Sequence, residues 1–223
     1  MENFVAILAA GKGSRMGLPQ PKQFEMLNGK TILEHSADTF EKHPSINGIY
    51  VVVHKDFIEK TKQLLNVENR PKIIDVIAGG EERTDSSWNA IMAMDKLEIN
   101  LLIHDAARPF VSNEIITRTI EALKTHSAVS VAIPATDTIY LCDGENKIAS
   151  SPKRNCVYLA QTPQAARLPI FKQAFELAQK NNQHLATDDA NVILNYLPGE
   201  KIHIVLGDVA NRKITFMGDL NEK

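Results

Sequence analysis

The sequence predicts an α/β fold of three layers, α/β/α, with a mainly parallel sheet and a protruding β arm. Three observations carry that prediction. Short, almost wholly apolar runs alternate with amphipathic stretches, the pattern of strands buried on both faces and joined by crossover helices. The first apolar run passes directly into a glycine-rich turn, where such folds place ligands. The alternation then breaks at residues 137–158, which lack a helical period and hold a turn at Asp143-Gly144-Glu145-Asn146.

Taken in order, residues 4–9 are continuously apolar and lead to Gly11, as a strand buried on both sides does. Residues 31–42 set Ile32, Leu33, Ala37 and Phe40 close to helical spacing. Residues 49–53 are β-branched and apolar, and 56–65 are amphipathic. Strands at 73–78 and 101–104 flank a helix at 84–94, and a helix at 113–125 opens on a plausible cap before a strand at 129–134. In the excursion, 138–142 and 147–149 flank the turn. A lone hairpin is marginal in water, so the arm is expected to pack on something else, such as a second subunit. Helices at 168–180 and 188–197 and a strand at 201–206 complete the pattern, without internal repeats. The 223 residues read as a single domain with one β excursion.

The composition, 43% apolar and 23% charged, excludes a disordered or fibrous chain. With 25 Lys and Arg against 27 Asp and Glu, the net charge of −2 provides no overall field for nucleic acid or an anionic membrane. Any anion must be held by a local cluster of cations. Cys142 and Cys156 make neither a disulfide framework nor a metal site by spacing, and they read as reduced thiols of a cytoplasmic protein. Residues 1–5 lack a basic leader region, and the apolar runs are far too short to span a membrane.

The turn after the first strand, Ala9-Ala10-Gly11-Lys12-Gly13-Ser14-Arg15-Met16-Gly17, runs on to Pro21-Lys22-Gln23. Its glycines let backbone amides approach a polyphosphate, and Lys12, Arg15 and Lys22 face no carboxylate until Glu25. It is not a dinucleotide fingerprint, because Met16 stands where the third glycine belongs. Nor is Asn28-Gly29-Lys30-Thr31 a P-loop, because Phe24 replaces the leading glycine.

Further along, Gly79-Gly80-Glu81-Glu82-Arg83-Thr84-Asp85-Ser86 joins a strand to a helix. It suits reading the edge of a base, or it is a helix start capped by Thr84, Asp85 or Ser86. In His104-Asp105-Ala106-Ala107-Arg108-Pro109, Asp105 could hold a divalent cation or a sugar hydroxyl, or pair with Arg108. Thr187-Asp188-Asp189-Ala190 reads as a helix cap with acids that favour the helix dipole. The histidines have neither ligand nor triad spacing, and no serine-hydrolase elbow occurs.

Ala9-Ala10-Gly11-x-Gly13-x-Arg15-Met16, followed by Pro21-Lys22-Gln23, resembles the signature of sugar-phosphate nucleotidyltransferases. More narrowly, the chain resembles the cytidylyltransferases acting on 2-C-methyl-D-erythritol 4-phosphate or on pentitol phosphates such as D-ribitol 5-phosphate. The resemblance runs from Val5 to about Leu220 with its motifs in order. It implies a Rossmann-like nucleotidyltransferase fold, a homodimer, CTP and a polyol phosphate as substrates, and Mg²⁺ as cofactor. It further implies that Arg15, Lys22 and Lys213 are catalytic, the first two stabilising the α-phosphate under attack. Ala9, Ala10, Gly11 and Gly13 would admit the triphosphate, while Gly80, Glu81 and Ser86 would hold the cytosine. Asp105 would seat the metal and substrate. Arg108, Thr138, Arg154, Thr162 and Thr187 would hold the acceptor, with the arm reaching across a dimer interface.

His104–Pro109 and Thr187–Ala190 favour the methylerythritol acceptor. Tyr140 departs from those enzymes, which commonly have Lys there, and the stretch Ser151-Pro152-Lys153-Arg154 with Tyr158 more closely resembles the pentitol-phosphate enzymes. Arg212 replaces an apolar residue beside Lys213. A non-catalytic nucleotide-binding domain is a further alternative, which the retained Arg15, Lys22, Asp105 and Lys213 disfavour.

Overall fold

Beyond its exposed first residue, β1 (Glu2–Ala9) is buried on both faces, and this sets the layering of the molecule. Phe4, Ala6 and Leu8 enter one apolar cluster, and Val5, Ile7 and Ala9 enter another, as the two-residue period of a strand requires. The computed structural model describes residues 1–11, 20–96, 98–181 and 186–220.

β1 pairs in parallel with β4 (Gly48–Val53) on one side and β6 (Ile99–Asp105) on the other. β5 (Ile73–Ala78) lies in parallel beyond β4. β10 (Tyr158–Arg167) runs antiparallel between β6 and β7 (Ala128–Pro134), and β11 (Ile202–Leu206) is parallel to β7. The seven strands lie in the order β11-β7-β10-β6-β1-β4-β5. Helices α1 (Ile32–Lys42), α2 (Ile58–Leu65) and α4 (Asn113–Ala122) cover one face with Leu33, Phe40, Leu65 and Ile116. Helices α3 (Arg83–Met92), α5 (Leu168–Lys180) and α6 (Asp189–Tyr196) cover the other with Ile91, Phe171, Phe175 and Val192. Among the described residues, no helix is long and apolar enough to cross a membrane.

Every strand and helix expected from periodicity is present, with ends shifted by a few residues. Among the described residues the sheet structure has two additions, a short hairpin and one long strand. β2 (Met26–Leu27) and β3 (Lys30–Thr31) form a small hairpin whose turn places Asn28 at φ 50° and Gly29 at φ 85°. Asn-Gly is the pair that this turn favours. The segment tested above as a P-loop is thus a hairpin, and Thr31 then starts α1 by accepting from the Glu34 amide at 3.2 Å. The second addition is β10. The periodicity marks no strand at its Gln161-Thr162-Pro163-Gln164, where proline cannot donate to a ladder. The structure puts that stretch at a register shift between Ala160 and Gln164, with the Thr162–Pro163 peptide cis.

The arm is the expected hairpin. β8 (Leu141–Cys142) pairs antiparallel with β9 (Ile148–Ser150), and both strands are fully exposed. Tyr140, Leu141 and Ile148 project large apolar side chains to solvent there.

Phe40, completely buried in α1, meets the His104 ring edge-on with centroids 5.0 Å apart, joining the core to the strand that carries the site. Phe40→Ala is expected to lower unfolding free energy by about 3–5 kcal/mol, as measured by urea denaturation. A loss below about 1 kcal/mol would show that the layer closes over the deleted ring.

Candidate active site

A cavity of about 710 Å³ opens beyond the carboxyl ends of β1, β4, β5 and β6. In an open α/β sheet this rim is where ligands bind, at the point where successive connections turn to opposite sides. Here β1 leads to β4 and β5 on one side, and the chain then returns to β6 on the other. Ala9, Ala10 and Gly11 form the wall at the end of β1. Gln23, itself buried, donates its side-chain amide to the Ala9 carbonyl and anchors the 3-10 turn Lys22–Phe24 beside it. Lys22 lines the cavity and donates to the Ile214 carbonyl at 2.7 Å. Gly13 and Arg15 lie outside the described residues.

Gly80, Glu81 and Ser86 line the wall as expected. The reason for the glycines differs from the sequence reading. A Cβ on Gly79 would sit 2.5 Å from Ala10 Cβ, and one on Gly80 would sit 2.2 Å from Asp85 Cβ. Their amides are already satisfied, by the Val53 carbonyl at 2.7 Å and by Ser86 Oγ at 3.2 Å respectively. These glycines therefore serve close packing, Gly79 against the first loop and Gly80 against the start of α3, rather than presenting amide donors. The helix cap also differs: α3 is capped from Glu82, whose amide donates to Asp85 Oδ2 at 3.0 Å.

Asp105 ends β6 inside the cavity wall, and its partners are not those expected. Arg83 donates Nε to Asp105 Oδ1 at 2.9 Å, and Lys213 donates Nζ to Oδ2 at 2.6 Å. Burial alone would raise the Asp105 carboxyl. The charges and hydrogen bonds of Arg83 and Lys213 outweigh it and hold the group well below the usual carboxylate range. Arg83 is in turn opposed by burial but raised by Asp189 and Asp105, so it stays charged. The two carboxylate oxygens retain further lone pairs, since a carboxylate offers about four acceptor positions. Among the described residues no group of three His, Cys, Asp or Glu could cage a metal. The carboxylates that line the cavity, and so could reach a divalent cation within it, are Asp105, Glu81 and Glu82.

Lys213, which only the resemblance singled out, is carried into the wall by a segment without regular structure. Asn211 donates Nδ2 to the Thr162 carbonyl at 2.9 Å, and the Ile214 amide donates to the Ala107 carbonyl at 2.8 Å. Arg108 takes no part in the ion pair with Asp105 weighed above. It braces this segment, donating to the Asn211 and Ala160 carbonyls at 2.8 and 3.1 Å.

Thr162 is buried rather than presented to the cavity. Its Oγ1 accepts from the Asp105 amide at 3.1 Å and lies 2.9 Å from His104 Nδ1. His104 Nε2 lies 3.1 Å from the Arg108 carbonyl, which can only accept, so the proton belongs on Nε2 and Thr162 donates to Nδ1. Burial pushes His104 down to about 4, which keeps it neutral. The remaining expected residues lie elsewhere. Arg154 and Thr138 meet on the arm at 3.5 Å, exposed, and Thr187 is exposed, accepting from Asn191 Nδ2 at 3.2 Å. Asp188, not Thr187, caps α6.

Sequence reasoning missed Arg83 and Asp189. Both fall in motifs noted above, but as exposed helix starts. Asp189 is in fact fully buried, 2.8 Å from Arg83 Nη2. Nothing in the local sequence pairs residues so far apart.

The model of the 2-C-methyl-D-erythritol 4-phosphate cytidylyltransferase family, IspD, matches residues 4–222. The chain belongs to that family. It is thereby one of the CTP-dependent cytidylyltransferases. A 2-C-methyl-D-erythritol 4-phosphate cytidylyltransferase of Thermobifida fusca is 38% identical over 221 residues, covering 96% of this chain and 89% of that one. The bifunctional ribulose 5-phosphate reductase/CDP-ribitol pyrophosphorylase Bcs1 of Haemophilus influenzae is 39% identical over 222 residues, 98% of this chain. This chain spans only 47% of that relative's length. The crystal structure of 4-diphosphocytidyl-2C-methyl-D-erythritol synthase from Anaerococcus prevotii superposes with a TM-score of 0.85 at 30% identity, covering 98% of this chain and 92% of that one. The mainly parallel α/β/α architecture agrees with the periodicity, and the nucleotidyltransferase fold with what the resemblance implied.

His104 makes stability depend on pH. Free imidazole binds a proton below about 6.5, whereas the buried ring does so only below about 4. Between those values the unfolded chain binds the extra proton, so stability is full above about pH 6.5 and falls as pH drops toward 4, by on the order of 3 kcal/mol. His43, lowered chiefly by burial, acts in the same sense. Urea denaturation from pH 4.5 to 7.5 is expected to show this slope and a shallower one in His104→Gln; equal slopes would place the effect elsewhere.

Proposed function

We propose that this chain transfers a cytidylyl group from CTP to 2-C-methyl-D-erythritol 4-phosphate, releasing pyrophosphate. The observation that carries the reading is the cavity wall itself. Arg83 and Lys213 hold the ionised Asp105 carboxylate in the wall, and Lys22 lines the same cavity at the carboxyl rim of the sheet. An oxygen of the acceptor phosphate attacks the α-phosphorus of CTP, and the bond to the β-phosphate bridging oxygen breaks. A phosphate monoester is already largely dianionic near pH 7, with a second pKa of about 6, so no general base is needed. The protein's task is to position the groups and offset the charge that develops on the transferred phosphoryl group.

In this reading Lys22, with Arg15 from the preceding turn, faces the α-phosphate, and Lys213 faces the acceptor phosphate near the transferred group. Ala9, Ala10, Gly11 and Gly13 border the triphosphate, and Gly80, Glu81 and Ser86 border the cytosine. Asp105 would hold Mg²⁺, which when bound supplies further charge neutralisation. Arg108, Thr162 and Thr187 belong to the acceptor side, the first two chiefly by bracing the wall. Thr138 and Arg154 are exposed on the arm and do not line the cavity of their own chain, which supports their acting in a partner's site within a homodimer. The solvent-facing Tyr140, Leu141 and Ile148 give that dimer apolar surface to bury. Two free, exposed cysteines on the arm suit a reducing cytoplasm.

D-ribitol 5-phosphate is a second acceptor candidate, favoured by the 39% identity to the Haemophilus relative named for CDP-ribitol. Pyrophosphate release from CTP with each acceptor separates the readings. Faster turnover with the methylerythritol phosphate is expected, and a preference for ribitol phosphate would reassign the acceptor. Lys22→Ala is expected to lower kcat by about 100-fold or more with an unchanged melting temperature, and near-normal turnover would remove Lys22 from the mechanism. Arg154→Ala should raise the acceptor KM by about tenfold or more and leave the CTP KM alone. An unchanged acceptor KM would exclude the arm from the phosphate site.

A further inference from the structure

One charged group beside the cavity has no part in the transfer just described. Asp189 opens α6, is fully buried and is absent from the cavity wall. An ionised carboxylate withdrawn from water is costly unless it is paired and hydrogen-bonded. Asp189 has both kinds of partner: Ser87 Oγ donates to Oδ1 at 2.6 Å, and Arg83 Nη2 stands 2.8 Å from Oδ2. Arg83 then reaches Asp105, and Asp105 reaches Lys213, at the distances given above. Four side chains of alternating sign therefore run from α6 through α3 and β6 to the segment carrying Lys213. The last three border the cavity, and the first does not.

Guanidinium is planar, and its donors keep fixed directions. Anchored from behind by Asp189, Arg83 offers Nε to one oxygen of Asp105 and leaves the other for Lys213. Asp189 also divides the Arg83 charge between two carboxylates. Without it, the whole of that charge falls on Asp105, which is then drawn to Arg83 and loosens its hold on Lys213. Resting on the transfer reading above, we propose that Asp189 is a positioning residue that acts through Arg83 to aim Asp105 and Lys213 at the reacting phosphates.

Asp189→Asn tests this with little change of shape. Its crystal structure should show the Asp105 carboxylate turned toward Arg83 and Lys213 withdrawn from Oδ2; both left in place would overturn the inference, whatever the enzyme turns over. In the CTP assay, kcat should fall about tenfold while the CTP KM changes by less than about threefold. In a Lys213→Ala background the same substitution should cost less than about threefold more, because the two residues act along one chain of contacts. A merely structural role would instead lower kcat by the same factor in both backgrounds, and that result refutes the proposal. Should Asp189→Asn melt below the assay temperature, Ser87→Ala, which keeps every charge, takes its place. It should show the same non-additivity on a loss of about two- to fivefold, and an additive loss refutes the proposal equally. Absence of turnover in the unmodified protein would sink the transfer reading alone, leaving the crystal structure to judge Asp189.

Discussion

A carboxylate closes a strand that is buried along its whole length, and most of the site follows from how that charge is tolerated. Asp105 sits at the end of β6 with its main chain in the sheet and its side chain in the cavity wall. An unpaired charge there would be far more costly than the packing of one residue could offset. The compensating cations come from distant parts of the chain: Arg83 from the first turn of α3 and Lys213 from the last described segment. Bringing Lys213 in requires that segment to be pinned, and Asn211, Arg108 and Ile214 provide the hydrogen bonds that pin it. The order of an otherwise irregular tail thus traces back to one ionised group.

A second constraint is the neutral His104. It joins the Asp105 amide, through Thr162, to the Arg108 carbonyl, so one ring fixes both sides of the turn that ends β6. This is a structural use of a histidine, and its burial against Phe40 is what suits it to the task. The aromatic core beneath the sheet and the polar wall above it share this residue.

The layers were legible in the sequence because β1, β4, β6 and β7 are apolar enough to read as strands without help, and the helices carry clear stripes. β10 was not, because its buried polar residues take their meaning from partners in β6 and in the C-terminal segment. Gln161 and Thr162 look like turn residues until Asp208, Asn211 and His104 stand opposite them. At the site, Ala9, Ala10, Gly11, Lys22, Gly80, Glu81, Ser86, Asp105 and Lys213, which lie far apart in the sequence, all border one cavity. The residues that sequence misjudged are those whose roles depend on pairing across the fold. Asp105 pairs with Arg83 and not with its neighbour Arg108, and Asp189 looks like an ordinary helix-start acid although it is wholly enclosed.

The single reversed strand also decides where the arm can stand. In a parallel sheet, a chain leaving the carboxyl end of one strand must cross to the opposite rim before it can enter the next. Because β10 is inverted, its first residue, Tyr158, lies beside Pro134, the last residue of β7. The intervening loop therefore leaves and returns on one rim, the rim that holds the cavity. Residues inserted at its tip would extend a canopy on the ligand side without disturbing the seven-stranded platform, so the reach of this appendage can diverge between relatives while the platform stays fixed.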